Sequence, residues 1–183
     1  MRTHVLLLAA GASRRFGPGN KLLHPLDGVP MIRRAAASFA ALPTTVVLGH
    51  DADAVRAALA GLDAQLITNP HPERGMGASI AAGMRLVDAD AVLIALGDMP
   101  FVRPASVSAL ASASAPIARP TFDGQPGHPV RFARVHHPAL RALDGDGGAR
   151  SLVRLHGFTP VPVDDPGVLR DVDTRPSRGS AIF

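Results

Sequence analysis

Small residues followed by cations stand near the N-terminus, in an order suited to binding phosphate. Ala10-Gly11-Ala12-Ser13 leads into Arg14-Arg15, and Lys21 follows. Small side chains let backbone N–H groups approach phosphate oxygens, and the cations neutralise their charge. The glycine spacing matches neither a Walker A motif nor a dinucleotide fingerprint. The segment therefore favours phosphate binding, and a plain glycine-rich turn is the alternative.

Lys21 stands out because it is the single lysine among 19 Lys and Arg residues. A lysine ammonium is a compact point charge, whereas an arginine guanidinium is a planar fork. In a chain that otherwise uses arginine, the position indicates a role for that compact charge. Chance within a biased composition is the alternative.

Two acidic segments could hold a hard cation. Gly97-Asp98 directly follows the apolar run Ala91 to Leu96, and Asp171 and Asp173 lie near the C-terminus. Carboxylates are the ligands that Mg²⁺ prefers, usually shared with phosphate oxygens. A magnesium site from Asp98 and a C-terminal aspartate is one interpretation, and ordinary turn aspartates are the other.

The segment Gly75-Met76-Gly77-Ala78-Ser79 opens a predicted helix. Its glycines permit close approach of a ring or a ribose, and a helix start offers free N–H groups. Ser79, Asp98 and His128 also have the chain order of a hydrolase triad. A nucleophile elbow must follow a strand immediately, however, and here 69–74 intervenes with two prolines. The hydrolase interpretation is therefore disfavoured.

Two later segments contain further candidate residues. Gly145-Asp146-Gly147-Gly148-Ala149-Arg150 would present amides and an arginine at a helix start, suited to a substrate phosphate. A flexible loop with a solvated arginine is the alternative. His128, in Gly127-His128-Pro129, fits a functional or a structural role equally well.

The elements that must position these residues alternate between strands and helices. Short apolar runs predict strands at Val5–Ala9, Thr45–Leu48, Gln65–Thr68, Ala91–Leu96, Ile117–Arg119 and Thr159–Val163. Helices are predicted at Met31–Ala41, Ala52–Ala60, Ala78–Leu86, Pro104–Ser112 and Ala149–Leu155. This alternation predicts an α/β fold with a mainly parallel sheet, and Phe122 to Gln125 predicts a small hairpin in the second half. Ligands of such sheets bind at the carboxyl ends of the strands, where the segments after strands one, three and four lie.

Composition limits the functional classes. The chain has 183 residues, no cysteine, no Trp or Tyr, and a net charge of +4. A disulfide scaffold and a cysteine nucleophile are excluded, and no aromatic platform for nucleic acid is expected. No apolar stretch is long enough to cross a bilayer, so no membrane partner is expected. Because the chain also lacks an aromatic platform, no nucleic-acid partner is expected. We expect a single, soluble, cytoplasmic domain over residues 1–183.

Taken together, the motifs are more specific than any one of them. Their order resembles the molybdenum cofactor cytidylyltransferases, the MocA type of the small MobA-like nucleotidyltransferases. The resemblance is carried by Leu8 to Gly17 with Lys21-Leu22-Leu23, Gly75 to Ile80, Leu96 to Pro100, Gly127 to Val130, Gly145 to Arg150 and Asp171 to Thr174. Phe16 in place of the commoner methionine and the insert Pro18-Gly19-Asn20 are departures from that pattern.

The resemblance implies a Rossmann-like three-layer sandwich, Mg²⁺, a nucleoside triphosphate donor and a molybdopterin-type acceptor. The guanylyltransferase relatives usually carry Leu-Ala-Gly-Gly and Gly-Pro-Leu-Ala-Gly. Leu8 to Gly11 and Gly75 to Ser79 differ from these at both places, which favours CTP over GTP. The transfer would move CMP to the acceptor's terminal phosphate and release pyrophosphate. A molybdoenzyme would then receive the product.

Site residues are assigned on the same hypothesis. Lys21, Arg15 and Asp98 are the expected catalytic residues, and Asp98 and Asp173 the expected metal ligands. His128 and Arg150 are expected to face the acceptor. The nucleotide would be bound by Leu8, Ala9, Ala10, Gly11, Lys21, Asn69, Gly75, Met76, Gly77 and Ser79. Two alternatives remain, namely a CTP- or GTP-dependent nucleotidyltransferase for another phosphorylated acceptor, and a carrier that inserts the finished cofactor.

Overall fold

A computed structural model of the chain describes residues 1–12, 16 and 19–172. The strands in these residues are β1 (Thr3–Ala9), β2 (Pro25–Leu26), β3 (Val29–Pro30), β4 (Thr44–Leu48), β5 (Gln65–Thr68), β6 (Ala91–Leu96), β7 (Ile117–Phe122), β8 (Gln125–Pro126), β9 (Val130–Ala133) and β10 (Thr159–Pro162). The α-helices are α1 (Met31–Ala37), α2 (Ala52–Ala58), α3 (Met76–Met84), α4 (Pro104–Ser112), α5 (His137–Arg141) and α6 (Arg150–His156).

The main sheet is mixed and mostly parallel, in the order β10-β7-β9-β6-β1-β4-β5. β1 is an inner strand, parallel to β4 on one side and to β6 on the other. β9 runs antiparallel between β6 and β7, and β8 forms a hairpin with β7. The chain proceeds outward from β1 through β4 to β5, then returns to β6. The order therefore reverses beside β1, which is where open α/β sheets bind ligands.

Helices cover both faces of the sheet, so the fold is a Rossmann-like three-layer α/β arrangement. One apolar cluster joins β1 to α1, α2 and α4, and it includes Ile32, Val55 and Leu110. The other joins the opposite face to α3, α5 and α6, and it includes Ile80 and Leu140. Burying each such side chain stabilises the fold by about 1.5–3 kcal/mol.

The predicted strands are confirmed, with bounds that differ by up to three residues. The predicted hairpin is also confirmed, and its turn is formed by Asp123 and Gly124, whose φ values are 48° and 75°. β9 was not predicted, because Arg131 interrupts an otherwise apolar segment. Arg131 is nevertheless 1% exposed, and its guanidinium donates to the carbonyl of Ala115. Among the described residues, no helix is both long and apolar enough to span a bilayer.

Candidate functional site

A cleft of about 460 Å³ opens at the carboxyl edge of the sheet, within the size range of small-molecule sites. Its walls come from the ends of β1, β4 and β6 and from the start of α3. The side chains that carry chemistry there are those of Lys21, His50, Glu73, Ser79, Asp98 and Asp146. The cleft therefore lies where the reversal of strand order places a ligand site.

Lys21 and Asp98 form a pair in this cleft, although 77 residues separate them in the chain. The Lys21 Nζ donates to the Asp98 Oδ2 at 2.7 Å, and the two side chains are 15% and 20% exposed. The charges are thus shielded enough to act strongly on a ligand, yet open to one. This pair is the chemically most distinctive feature of the cleft.

Local structure holds both partners in place. Lys21 begins a single 3-10 turn, which Asn20 caps by accepting from the Leu22 N–H at 3.0 Å. Leu22 is 3% exposed and anchors that turn in the core. On the other side, the Gly97 N–H donates to the Leu8 carbonyl at 2.9 Å and so continues the β1–β6 pairing up to Asp98.

The nucleotide-side candidates divide into two groups. Leu8, Ala10, Gly11, Gly75, Met76 and Ser79 line the cleft with Lys21. Ala9 and Asn69, which are 1% and 4% exposed, lie behind its wall. Asn69 reaches the cleft through Ser79, because its Nδ2 donates to the Ser79 Oγ at 3.1 Å. Asn69 therefore positions a wall residue.

The same contact excludes the hydrolase interpretation for the described residues. The Ser79 hydroxyl accepts from Asn69 and donates to the Gly75 carbonyl at 3.5 Å. A nucleophilic serine would instead donate to a histidine or another base. Within the described part of the chain, Ser79 has no such partner.

The helix start at Gly75 to Gly77 packs partly on residues 144–146. We expected close approach of a ring or ribose and free N–H groups there; Gly75 lines the cleft, whereas the Gly77 N–H and the space beside Gly77 are taken by residues 144–145. The Gly77 N–H donates to the Gly145 carbonyl at 2.8 Å, and a Cβ on Gly77 would lie 2.6 Å from the Asp144 backbone. At Gly75, where φ is +92°, a Cβ would lie 2.3 Å from the Asp146 Oδ1. The glycines thus serve packing between two segments of the protein.

His128 lies beyond Asp98, on the β9 side of the cleft. Its Nδ1 is buried and has no hydrogen-bond partner among the described residues. Burial first, and then the charge of Arg119, lower its pKa to about 4, with a smaller effect in the same direction from Arg150. The negative charge of Asp98 opposes this lowering of the pKa. His128 is therefore neutral at pH 7.

The metal-ligand prediction is covered only in part, because Asp173 and Arg15 lie outside the described residues. Asp98 turns a carboxylate toward the cleft, which suits an oxygen-seeking cation. The Val172 N–H donates to the Asp98 carbonyl at 2.9 Å, so the chain passes Asp98 just before Asp173. Within the described residues, no three histidine or acidic side chains cluster as metal ligands.

Sequence reasoning missed His50, Glu73 and the side chain of Asp146. His50 follows β4 at the same sheet edge, so the rule that found Asp98 would also have found His50. Glu73 lies in the 69–74 segment, of which only Asn69 is predicted to bind the nucleotide. Asp146 reaches the cleft through the packing of its loop on α3, a contact that no local pattern predicts.

Comparison with known proteins gives several matches. The chain is 34% identical over 116 residues to the bifunctional protein GlmU of Burkholderia mallei, covering 61% of this chain and 25% of that one. It therefore spans about a quarter of the length of the curated relatives it matches. A second GlmU, from Roseobacter denitrificans, is 34% identical over 142 residues, covering 74% of this chain and 32% of that one.

Solved structures resemble the chain over nearly all of its length. Rv0371c of Mycobacterium tuberculosis is 28% identical with a TM-score of 0.83, covering 95% of this chain and 94% of that one. A complex of Rv0371c with manganese gives 25% identity and a TM-score of 0.71, covering 89% and 88%. A nucleotidyl transferase of Methanothermobacter thermautotroptrophicus is 25% identical with a TM-score of 0.81, covering 94% of this chain and 92% of that one. The model of the MobA-like NTP transferase domain matches residues 5–161, and the chain belongs to that family.

Proposed function

We propose that this protein transfers CMP from CTP to the terminal phosphate of a molybdopterin-type cofactor and releases pyrophosphate. The Lys21–Asp98 pair carries the proposal, because it sets a cation and a carboxylate 2.7 Å apart in a cleft of nucleotide size. Membership of the MobA-like NTP transferase domain family supports the reaction class. The motif differences at Leu8–Gly11 and Gly75–Ser79 support CTP over GTP, and the resemblance of the whole set of motifs supports the acceptor.

In the proposed reaction, one bond forms and one breaks at the α-phosphorus. An oxygen of the acceptor's phosphate attacks that phosphorus in line. The bond to the bridging oxygen of the β-phosphate breaks, and its electron pair leaves with pyrophosphate. The product joins CMP and the acceptor through a diphosphate. Because little covalent chemistry falls to the protein, positioning and neutralisation of charge carry the catalysis.

The side chains divide this work. Lys21 would exchange its contact with Asp98 for the triphosphate, and Arg15 would add a second cation. Amides of the loop at Gly11 would support the same oxygens. Ser79, held by Asn69, and the small residue Ala10 would enclose the base and ribose. The exposure of Lys21 and Asp98 on the cleft side supports these roles.

Asp98 and Asp173 would hold Mg²⁺, which neutralises phosphate charge when it is bound. The carboxylate of Asp98 fits such an ion, and the hydrogen bond from Val172 brings the preceding backbone to it. A divalent ion is also supported by the manganese complex of Rv0371c. Breaking the Lys21–Asp98 contact would release the carboxylate for the ion and the ammonium for phosphate together.

His128 and Arg150 would face the acceptor. The buried Nδ1 of His128 has no hydrogen-bond partner among the described residues, and the charge of Arg150 acts on that ring. A recipient molybdoenzyme would take the product. The second candidate function is nucleotidyl transfer to a different phosphorylated acceptor, which membership of the MobA-like NTP transferase domain family supports equally.

Product analysis tests the proposal. Purified protein is incubated with Mg²⁺, molybdopterin-type cofactor and either CTP or GTP, and the products are analysed by mass spectrometry. We expect a CMP adduct of the cofactor and one pyrophosphate per adduct. Parallel reactions replace the cofactor with sugar or alcohol phosphates. An adduct formed only with one of these would establish the second candidate, and a preference for GTP would refute the choice of nucleotide.

A further inference from the structure

Arg119, on β7, has a role in none of the assignments above. It is half-buried, and burial lowers the pKa of its guanidinium. Among the described residues, no carboxylate forms an ion pair with it. A partly desolvated cation without a counter-charge is costly to the fold unless an anion joins it. Such a position suits the binding of an anionic ligand.

The side chain of Arg119 is held in a fixed orientation. Its Nε donates to the Gly127 carbonyl at 3.1 Å and its Nη2 to the Pro126 carbonyl at 3.2 Å. The guanidinium carbon also lies 5.3 Å from the ring centroid of Phe158. These contacts use two of the five N–H donors of a guanidinium, and within the described residues the others have no protein acceptor. The group is thus preorganised with donors to spare.

Two residues around Arg119 also favour an anionic ligand, namely His128, which lacks a hydrogen-bond partner at Nδ1 among the described residues, and the cation Arg150. The two carbonyls that Arg119 holds directly precede His128, whose buried Nδ1 has no partner in the described part of the chain. After burial, the charge of Arg150 is the next cause that lowers the pKa of Arg119. The two positive charges thus disfavour each other, and an anion bound by both would relieve that effect.

We propose that Arg119 is a specificity-determining residue that, together with Arg150, binds the phosphate of the acceptor, on the β7 side of Asp98. The inference rests on the proposed function, because it locates the second phosphate of that reaction. Two polyanions must meet at one phosphorus, so each needs its own cations. Lys21 follows β1, whereas Arg119 lies on β7, which β9 separates from β6. In the strand order, β1 and β7 thus lie on opposite sides of β6, the strand that leads to Asp98.

Binding of methyl phosphate to the protein without nucleotide tests the inference, measured by ³¹P NMR. The variants are R119Q, R119K, K21Q and the exposed control R85Q. We expect saturable binding in the wild type, at least about tenfold weaker binding in R119Q, and several-fold weaker binding in R119K, which keeps the charge but loses the fork. R85Q should bind as the wild type does, and K21Q should still show saturable binding at Arg119.

Three results would overturn the inference: no saturable binding in the wild type, equal binding by R119Q and R85Q, or loss of binding in K21Q instead of R119Q. Circular dichroism checks each fold, and if R119Q unfolds, unchanged binding by folded R119K is the overturning result. Because the probe needs no nucleotide and no turnover, it succeeds or fails independently of the proposed transfer. In turnover assays, R119K should raise the KM for the acceptor while the KM for CTP stays unchanged.

Discussion

Substituting Gly77 by alanine should separate the start of α3 from the segment 144–146. The new Cβ would lie 2.6 Å from the carbonyl carbon and oxygen of Asp144, both backbone atoms that cannot rotate away. Ordinary contact begins at 3.4 Å, so the segment must move by about 0.8 Å in a close-packed region. That shift strains the hydrogen bond from Gly77 to Gly145.

The expected cost has two parts. Overpacking costs about 1–3 kcal/mol, and the helix preference of alanine over glycine returns about 0.5–1 kcal/mol, so the free energy of unfolding should fall by up to about 2 kcal/mol. Displacing by nearly 1 Å the loop that carries Asp146 and leads to Arg150 should lower kcat/KM for the acceptor about 10- to 100-fold.

Gly147→Ala is the matched control, since a Cβ there meets nothing within 4 Å. Urea denaturation gives the stability of each variant, and release of pyrophosphate gives its rate. The reasoning is refuted if G77A and G147A have the same unfolding free energy and the same kcat/KM. Loss of stability without loss of rate would refute only the link between the segment and the acceptor.

Two further predictions concern buried polar groups. Asn69→Ala removes the donor to Ser79 and the acceptor for the His71 N–H. The free energy of unfolding should fall by about 1–3 kcal/mol, and the KM for CTP should rise. Gln125→Ala, at an exposed position, should change neither quantity. The folded pKa of His128, about 4, lies below the unfolded 6.5, so the unfolded chain binds the extra proton between these values, and stability should fall as pH falls through that window. At pH 5, protonation of His128 in the unfolded chain lowers the free energy of unfolding by about 2 kcal/mol. The urea midpoints at pH 7 and pH 5 should therefore differ less in H128Q than in the wild type. An equal difference in the two proteins would contradict this.

Local sequence patterns were enough to predict the inner strands and the edge of the sheet where the cleft lies. β5 and β6 are apolar or alternating runs between turn residues, and their bounds were predicted as they stand in the structure. The rule that ligands bind at the carboxyl ends of parallel strands then brought Lys21 and Asp98 to one place. Sequence alone could predict this much because each step depends on residues adjacent in the chain.

Long-range contacts explain what could not be predicted. The bond from Gly77 to Gly145 joins segments 68 residues apart, and no local pattern predicts that one side of the glycine turn packs on another loop. Arg131 and Arg119 are charged residues on strands, and only the carbonyls that other segments offer them make their burial possible. The sequence around either arginine does not indicate which carbonyls it will contact.

The central claim is that Lys21 and Asp98 act on the triphosphate of CTP, and single-turnover release of pyrophosphate tests it most directly. Lys21→Ala and Asp98→Asn should each slow release about 100- to 1,000-fold, the usual effect of removing one stabilising group. Arg85→Ala and Asp53→Asn, at exposed positions, serve as controls for the loss of charge. Release at close to the wild-type rate by a folded K21A or D98N protein would contradict the account.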